Sequence, residues 1–412
     1  MARGGRAEPV RSPALVDGAG QVLDLIRTGR AQTTSSLAAT MGMARSTVLQ
    51  RLEFLTAYDL VASETTANGG RGRPAAIYAF EPRSAIVLAA HVGFTGCRLA
   101  VADLDGAVLA QHFLGVDLAT GPDGLLAGLE ESFDHLISAA GVEHCRVAGV
   151  GVGVPRSLEL LSYLHSLGLS GKDWDRSHFH QALLARYRAP VFIDTDVNLL
   201  ALAERRKSWP DAEVFVCAKL GTLIDAALVV NGVPIRGASW LAGELGHIKI
   251  SGSAEPCTCG SAGCLDAVAS GSALVRRLAS AGFDVHHVSQ VVQWAEDGVP
   301  EAVRALRDAG RYIGEALASV VNLLNPDAVA VWGYLAEAEA LLFSGIREGL
   351  YSGALPGSSE PLTLVSATLG DLAGVLGAAM LVIDEVLSPA SIDKMIVDGS
   401  WAPSGTPVTE GS

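Results

Sequence analysis

The sequence predicts an α/β protein in two parts: a small N-terminal module of three helices and a two-strand wing, then a larger body of two lobes. Three observations carry this. Between Gly18 and Leu60 apolar residues recur at helical spacing in three short segments. Beyond Pro82 the texture changes to strand-like runs bounded by turn residues. The body then passes twice through strands followed by helices, as a duplicated α/β architecture with a cleft between its halves would. At 412 residues and 49% hydrophobic, the chain is too long for one ordinary core and has material for several.

Taken in order, residues 1–17 are rich in Gly, Pro and Arg and are expected to form a disordered arm. The first helix places Val22, Leu23, Leu25 and Ile26 on one side and stops at Gly29. The second is entered by Thr33, Thr34 or Ser35 and ends at Gly42. The third carries Val48, Leu49, Leu52 and Leu55 as its buried stripe. Strand-like pieces around Leu60–Thr65 and Ala75–Phe80 flank Arg71-Gly72-Arg73-Pro74 and complete the module at residues 18–81. Strands from Ser84, with Asp105-Gly106 as a hairpin turn, open the first lobe, residues 82–194 plus 371–390. The second lobe is expected over 195–370. The tail, 391–412, shows little periodicity and is expected to be loose.

Charge is unevenly spread. Residues 1–80 hold nine arginines, no lysine and six acidic residues, a surplus of three positive charges. The whole chain carries −14, which leaves −17 for the remainder. A basic module on an acidic body is the asymmetry expected when one end meets DNA and the other something else. No run approaches the roughly 18 apolar residues of a membrane helix. The N-terminus lacks the apolar core of a signal peptide, so a cytoplasmic protein without a membrane partner is expected.

Three helices and a basic wing match a winged helix-turn-helix. The third helix would enter the major groove of double-stranded DNA with Arg45, Ser46, Thr47, Gln50 and Arg51 on its outer face. Arg71 and Arg73, set between glycines, suit phosphate or a narrow minor groove. Ala44 stands where Ser or Thr would cap the recognition helix, at a cost of about 1 kcal/mol. A plain protein-binding module with solvated arginines is the alternative. Paired half-sites would make the operator palindromic and the protein a homodimer or homotetramer.

Of six cysteines, Cys257, Cys259 and Cys264 crowd together downstream of His247. Three thiolates and an imidazole form a closed set preferred by structural Zn²⁺, with no position left for a catalytic water. Incidental buried cysteines are the alternative. Turn glycines at 260 and 263 favour a ligand, which would fix the loop bearing Glu244, His247 and Asp266.

The stretch from Leu241 to Asp266, with its Cys-x-Cys and final Cys, resembles the signature of the ROK family of repressors and kinases. Pieces at His91–Gly96, Gly151–Pro155, Asp194–Asn198, Leu220–Gly232 and Asn325–Gly333 fall in that family's order, and the resemblance covers about residues 84–388. It implies a two-lobed, actin-like sugar-kinase fold with a sugar between the lobes and ATP beside it. By resemblance Asp196 takes the place of the kinases' base, and Glu244, His247 and Asp266 line the sugar, where carboxylates accept several hydroxyls at once.

This chain departs from the family at several points. Thr195 replaces an Asn before the base. Arg156 replaces the Gly of a G-x-P-G turn; it would read an acidic or phosphorylated sugar, fill a pocket that binds nothing, or point into solvent. The first phosphate loop, D-x-G-G-T in the family, reads His91-Val92-Gly93-Phe94-Thr95. Imidazole is a poor Mg²⁺ ligand, and Phe94 puts a ring where backbone must approach phosphate. The second loop reads Gly221-Thr222-Leu223-Ile224-Asp225, and Trp332 replaces an adenosine-side glycine. ATP and Mg²⁺ are therefore not expected, and Asp196 is read as a vestigial base. The reading that follows is a regulator, with repressor favoured, that senses a sugar or sugar derivative and is no enzyme. The alternatives are an ATP-dependent sugar kinase with an accessory DNA module, and a ligand-independent regulator with a vestigial pocket.

Overall fold

The computed structural model describes residues 16–65, 76–94, 96–116, 121–156 and 176–399. The N-terminal module consists of α1 (Ala19–Arg27), α2 (Thr34–Met41), α3 (Arg45–Ala57) and an antiparallel pair, β1 (Val61–Thr65) and β2 (Ala76–Phe80). The apolar stripe read for α1 is buried, Val22 and Leu23 completely or nearly so. Thr33 and Ser36 form a reciprocal capping box at the start of α2, and Gly42 ends it in the left-handed conformation. Ala44 gives α3 no side-chain cap. In α3, Val48, Leu52 and Leu55 are buried, but Leu49 is 44% exposed on the opposite side.

Lobe 1 is a five-stranded sheet in the order β5-β4-β3-β6-β7. Its strands are β3 (Ala85–Val92), β4 (Cys97–Asp103), β5 (Val108–Leu114), β6 (Arg146–Val154) and β7 (Val191–Thr195). The Asp105-Gly106 turn is present: Gly106 has φ 82°, and Asp103 Oδ1 accepts the Ala107 amide at 2.9 Å. Helices α4 (Gly121–Ala139) and α5 (Arg176–Tyr187) contribute Phe133 and Phe179 to the core on one face.

Lobe 2 repeats this plan. Its strands β8 (Val214–Leu220), β9 (Ile224–Val230), β10 (Val233–Pro234), β11 (Ala328–Trp332) and β12 (Thr363–Ser366) lie in the order β10-β9-β8-β11-β12. In both sheets the first three strands are antiparallel and the last two parallel. This is the duplication expected from the alternation of strands and helices. Helices α7 (Leu265–Ala269), α8 (Gly271–Ser280), α9 (Val288–Glu296), α10 (Pro300–Leu324), α11 (Glu339–Gly353) and α12 (Pro356–Ser359) cover this sheet.

Two helices join the lobes: α6 (Asp196–Ser208), launched from the end of β7, and α13 (Ala373–Val386). They meet at backbone distance, since a Cβ on Gly377 would lie 1.9 Å from the Leu199 carbonyl. A Cβ on Gly151 would meet the Ala378 carbonyl at 2.4 Å, so only a glycine at this point of β6 lets α13 lie so close.

The expectation of a loose tail from residue 391 is corrected over its first part. Pro389–Asp398 form α14, begun by Ser388, whose hydroxyl accepts the Ser391 amide. Ile392, Met395 and Ile396 are buried in the same apolar cluster as α1 and α13. A stripe of three apolar residues in ten was too short a signal; α1 supplies the surface that buries it. Among the described residues no single helix is long and apolar enough to cross a membrane.

Candidate functional site

On the N-terminal module, Arg45 and Ser46 are exposed at the start of α3, while Thr47 and Gln50 are half-buried beside them. Arg51 corrects the expected groove-facing set. It is only 5% exposed, and its Nε donates to the Asp17 carbonyl at 2.9 Å. A position one residue after Gln50 rotates about 100° around the helix, which carries Arg51 toward the chain entering α1. Arg71 and Arg73 lie outside the described residues.

Between the lobes is a cleft lined by Asp196, Glu244, His247, Asp266 and Arg156, with Phe94 and Lys219 at one side. Five of the six residues expected at the sugar are thereby brought together from the chain just after β6, from α6 and α7, and from the 244–247 turn. Thr195 is not among the lining residues; it is buried, its hydroxyl has no partner among the described residues, and its amide donates to Asp194 Oδ1 at 2.7 Å. Burial pushes the Asp225 carboxyl up to about 7, opposed by Arg156. Burial likewise pushes Asp266 up to about 6, opposed by the Ile224 amide that donates to it at 2.8 Å.

Arg156 does not point into solvent: it is 3% exposed. Its Nη1 donates to the carbonyls of Trp240 and Ala242 at 3.1 and 2.7 Å. Its Nε lies 3.5 Å from both Asp225 and Glu244.

Three charged partners were not singled out from sequence. Lys219, on β8, pairs with the carboxylate of Asp196. Asp194 accepts from Arg236 at 2.6 Å and from the Asn198 amide at 2.8 Å. Only the position of Lys219, two residues before the second loop, hinted at a role. Pairing across two sheets has no sequence period.

On the nucleotide side, the ring of His91 is pressed against the backbone of α13: a Cβ on Gly374 would lie 2.2 Å from it. Trp332 meets the same ring edge-on, with centroids 5.9 Å apart, and ties its indole N–H to the Gly370 carbonyl at 2.9 Å. Among the described residues His91 Nε2 has no hydrogen-bond partner. Desolvation holds its pKa down at about 4, against an ordinary 6.5 and despite the nearby Asp196. A neutral, buried imidazole packed by an indole does not fit the hydrated Mg²⁺ and polyphosphate that the kinases' first loop receives.

A pH dependence follows. Because the folded pKa is depressed, this group's contribution to stability is fully present above about pH 6.5 and is lost as the pH falls through 4. It amounts to about 3 kcal/mol. In His91→Leu the drop in unfolding free energy over that window should be shallower by this amount; denaturant titrations at pH 7 and pH 4 that give the same drop in unfolding free energy for both proteins would refute it.

The side chains of His247, Cys257, Cys259 and Cys264 converge, with their ligand atoms all within 4.8 Å of one another. Cys259 and Cys264 have sulfurs 3.7 Å apart, and Cys257 Sγ is 3.7 Å from His247 Nδ1. A tetrahedron with Zn–S bonds of about 2.3 Å has edges of about 3.8 Å, so the set fits that ion. The hairpin holding it is closed by Ile250 N–H to the Gly263 carbonyl at 2.8 Å and Leu265 N–H to the Ile248 carbonyl at 2.9 Å. Lys249, also not foreseen, donates to Cys264 Sγ at 3.0 Å, a cation that offsets the excess of thiolate charge. His247 has two faces: Nδ1 toward Cys257, and Nε2 3.5 Å from the Glu244 carboxylate. A metal on Nδ1 would leave Nε2–H as a donor toward Glu244 and the cleft, so both roles expected of His247 are compatible.

Known proteins resemble this chain in two ways. A glucokinase of Halalkalibacterium halodurans is 29% identical over 310 residues, 71% of this chain and 93% of the relative. A xylose repressor of Bacillus spizizenii is 23% identical over 355 residues, 86% of this chain and 91% of the relative. In fold, a solved ROK family transcriptional regulator, a homologue of the E. coli MLC protein, superposes with a TM-score of 0.75 at 23% identity, covering 94% of this chain and all of that one. A ROK family glucokinase from Streptomyces griseus, solved with glucose and AMPPNP, gives a TM-score of 0.58 at 26% identity over 72% of this chain and 98% of that one. Repressors and kinases thus both appear among its relatives. With the ROK family model matching residues 87–385, over a duplicated fold whose cleft and Cys/His cluster agree with it, the chain belongs to the ROK family.

Proposed function

We propose that this protein is a cytoplasmic DNA-binding transcriptional regulator, a repressor by preference, whose body binds a sugar or sugar derivative and does not phosphorylate it. The observation that carries the reading is the pairing of Asp196 with Lys219. A general base must be free to take the hydroxyl proton; here its carboxylate is held by an ammonium that stands on the phosphate side of the cleft. His91, Phe94 and Asp225 add a neutral imidazole, a ring and a carboxylate where a polyphosphate needs glycine amides and Mg²⁺. The carboxylates suited to a polyol are retained. The likeness to xylose repressors supports the regulatory half, since 355 matched residues reach beyond the body.

Within this reading Arg45 and Gln50 read base edges, and Arg71 and Arg73 hold phosphate. The protein acts as a homodimer or homotetramer on a palindromic operator, and the Cys/His cluster holds a structural zinc. Ligand binding shifts DNA affinity through its differential affinity for two arrangements of the lobes, typically worth about 1–3 kcal/mol.

The test has two arms. In fluorescence anisotropy on promoter fragments, Arg45→Ala should relax base preference and cost about 1–3 kcal/mol at one position, and binding should weaken steeply with salt. In a coupled assay with ATP and common hexoses the protein should not turn over. Robust turnover abolished by Asp196→Asn would establish a kinase instead.

A further inference from the structure

Arg156 lies two residues beyond β6 in lobe 1, yet among the described residues its polar contacts are all in lobe 2: the Trp240 and Ala242 carbonyls, Asp225 and Glu244. Although the side chain is only 3% exposed and lines the cleft, among the described residues Nε and Nη2 make no hydrogen bond of good geometry, and neither does Glu244 Oε1. The guanidinium is thus anchored through Nη1 on two carbonyls while it faces two carboxylates at 3.5 Å without hydrogen-bonding either. Arg236 makes a second tie from the same segment, to Asp194 of lobe 1 at 2.6 Å, and its guanidinium lies over the Trp240 ring. Residues 236–243 are thus strapped to lobe 1 by two arginines.

A polyol recognised by carboxylates needs accessible acceptor oxygens, and Arg156 covers one of those of Glu244, its Nε standing 3.5 Å from Oε1 without bonding it. Building on the sugar-site reading above, we infer that Arg156 determines specificity by occupying part of the polyol site, so that a ligand enters by displacing it with hydroxyl or ammonium donors and the cleft takes neutral or amino sugars in preference to sugar acids and sugar phosphates. The charge balance supports this. Asp196, Asp225, Glu244 and Asp266 line the cleft against two cations, Arg156 and Lys219, each already facing a carboxylate. Burial, and after it the neighbouring carboxylates of Asp196 and Glu244, push the Asp225 carboxyl up, so a further anion beside it is disfavoured. Displacing the guanidinium also releases the Trp240 and Ala242 carbonyls, so entry of the ligand frees the strap.

The full-length protein, Arg156→Gly and Arg156→Gln are titrated by calorimetry with glucose, glucosamine, glucuronate and glucose 6-phosphate, and deuterium exchange is followed at residues 236–243. The wild type should prefer glucose or glucosamine to the two anions. Both variants should bind the preferred sugar at least tenfold more tightly and exchange faster across the strap before any ligand is added. Tighter binding of glucuronate or glucose 6-phosphate by the wild type, lost in Arg156→Gly, would overturn the proposal and make Arg156 an anion receptor. Binding of equal strength in all three proteins would overturn the proposal alone and leave the sugar site standing. Silence of all three toward all four probes, with the fold intact, would overturn it together with the sugar reading.

Discussion

Chelating the metal, or replacing Cys264 with Ser, is expected to abolish sugar binding by more than 100-fold and to lower the melting temperature by about 5–10 °C. Glu244 lies three residues before His247, and Asp266 two residues after Cys264. Both cleft carboxylates are therefore held at the ends of a short hairpin. That hairpin is closed by backbone hydrogen bonds that include Ile250 to Gly263 and Gly263 to Glu255 at 2.8 Å and Leu265 to Ile248 at 2.9 Å, and it has little apolar surface of its own apart from Ile250 and Leu265. Without an ion, the three thiols and the imidazole make weak sulfur contacts at 3.7 Å, and the chain entropy recovered by opening the loop outweighs these and the loop's backbone hydrogen bonds. A structural zinc contributes on the order of 10 kcal/mol in small zinc-held domains; the fall expected here is smaller because lobe 2 has its own large core. Elemental analysis should find one zinc per chain. A metal-free preparation with the melting temperature and sugar affinity of the holoprotein would show that the cluster is not a structural centre.

Truncation after Leu387 should cost operator binding at least 100-fold while leaving sugar affinity within about twofold. The deleted helix α14 is the fourth helix of the N-terminal module in all but sequence position. Ile392, Met395 and Ile396 are 0–3% exposed against α1 and its neighbours, each worth roughly 1.5–3 kcal/mol of burial. Asp393 accepts the amides of Gly18 and Gly20 at 3.0 and 2.7 Å, placing a carboxylate at the N-terminus of α1. The fit is close: a Cβ on Gly20 would stand 2.2 Å from the Pro389 carbonyl. A gentler variant, Asp393→Ala, should weaken the module by about 1–2 kcal/mol, read as faster amide exchange along α1 with the exchange of β3 and β6 unchanged. Retention of full DNA affinity by the truncated protein would separate the two halves energetically. The same helix follows directly on α13, which packs between the lobes against α6, so the module rests on the element that any change in the cleft must move.

Much of this was legible before any coordinates. The three helices were readable because each carries its own apolar period and its own stop, Gly29 and Gly42 among them. The Cys/His cluster was readable because its residues are local in sequence and thiols crowded beside an imidazole have few other uses. The two sheets were readable as a repetition of strands and helices, and their shared strand order confirms it. Leu49 and Arg51 were misassigned because a helix that is polar on two sides offers no unique face until its neighbours are placed. Leu49 lies exposed, whereas the Asp17 carbonyl draws Arg51 inward.

By itself, then, the sequence determined what is encoded locally: helix periods and caps, turn glycines, a thiolate cluster, and the loss of glycines from the phosphate loops. Only the tertiary structure decided which charges meet. Lys219 reaches Asp196, Arg156 reaches Glu244, and Asp393 reaches α1 across 23, 88 and more than 370 residues of chain. The physical reason is that an ion pair or a buried helix face needs only proximity and matching chemistry. Nothing in the covalent order of the partners announces it.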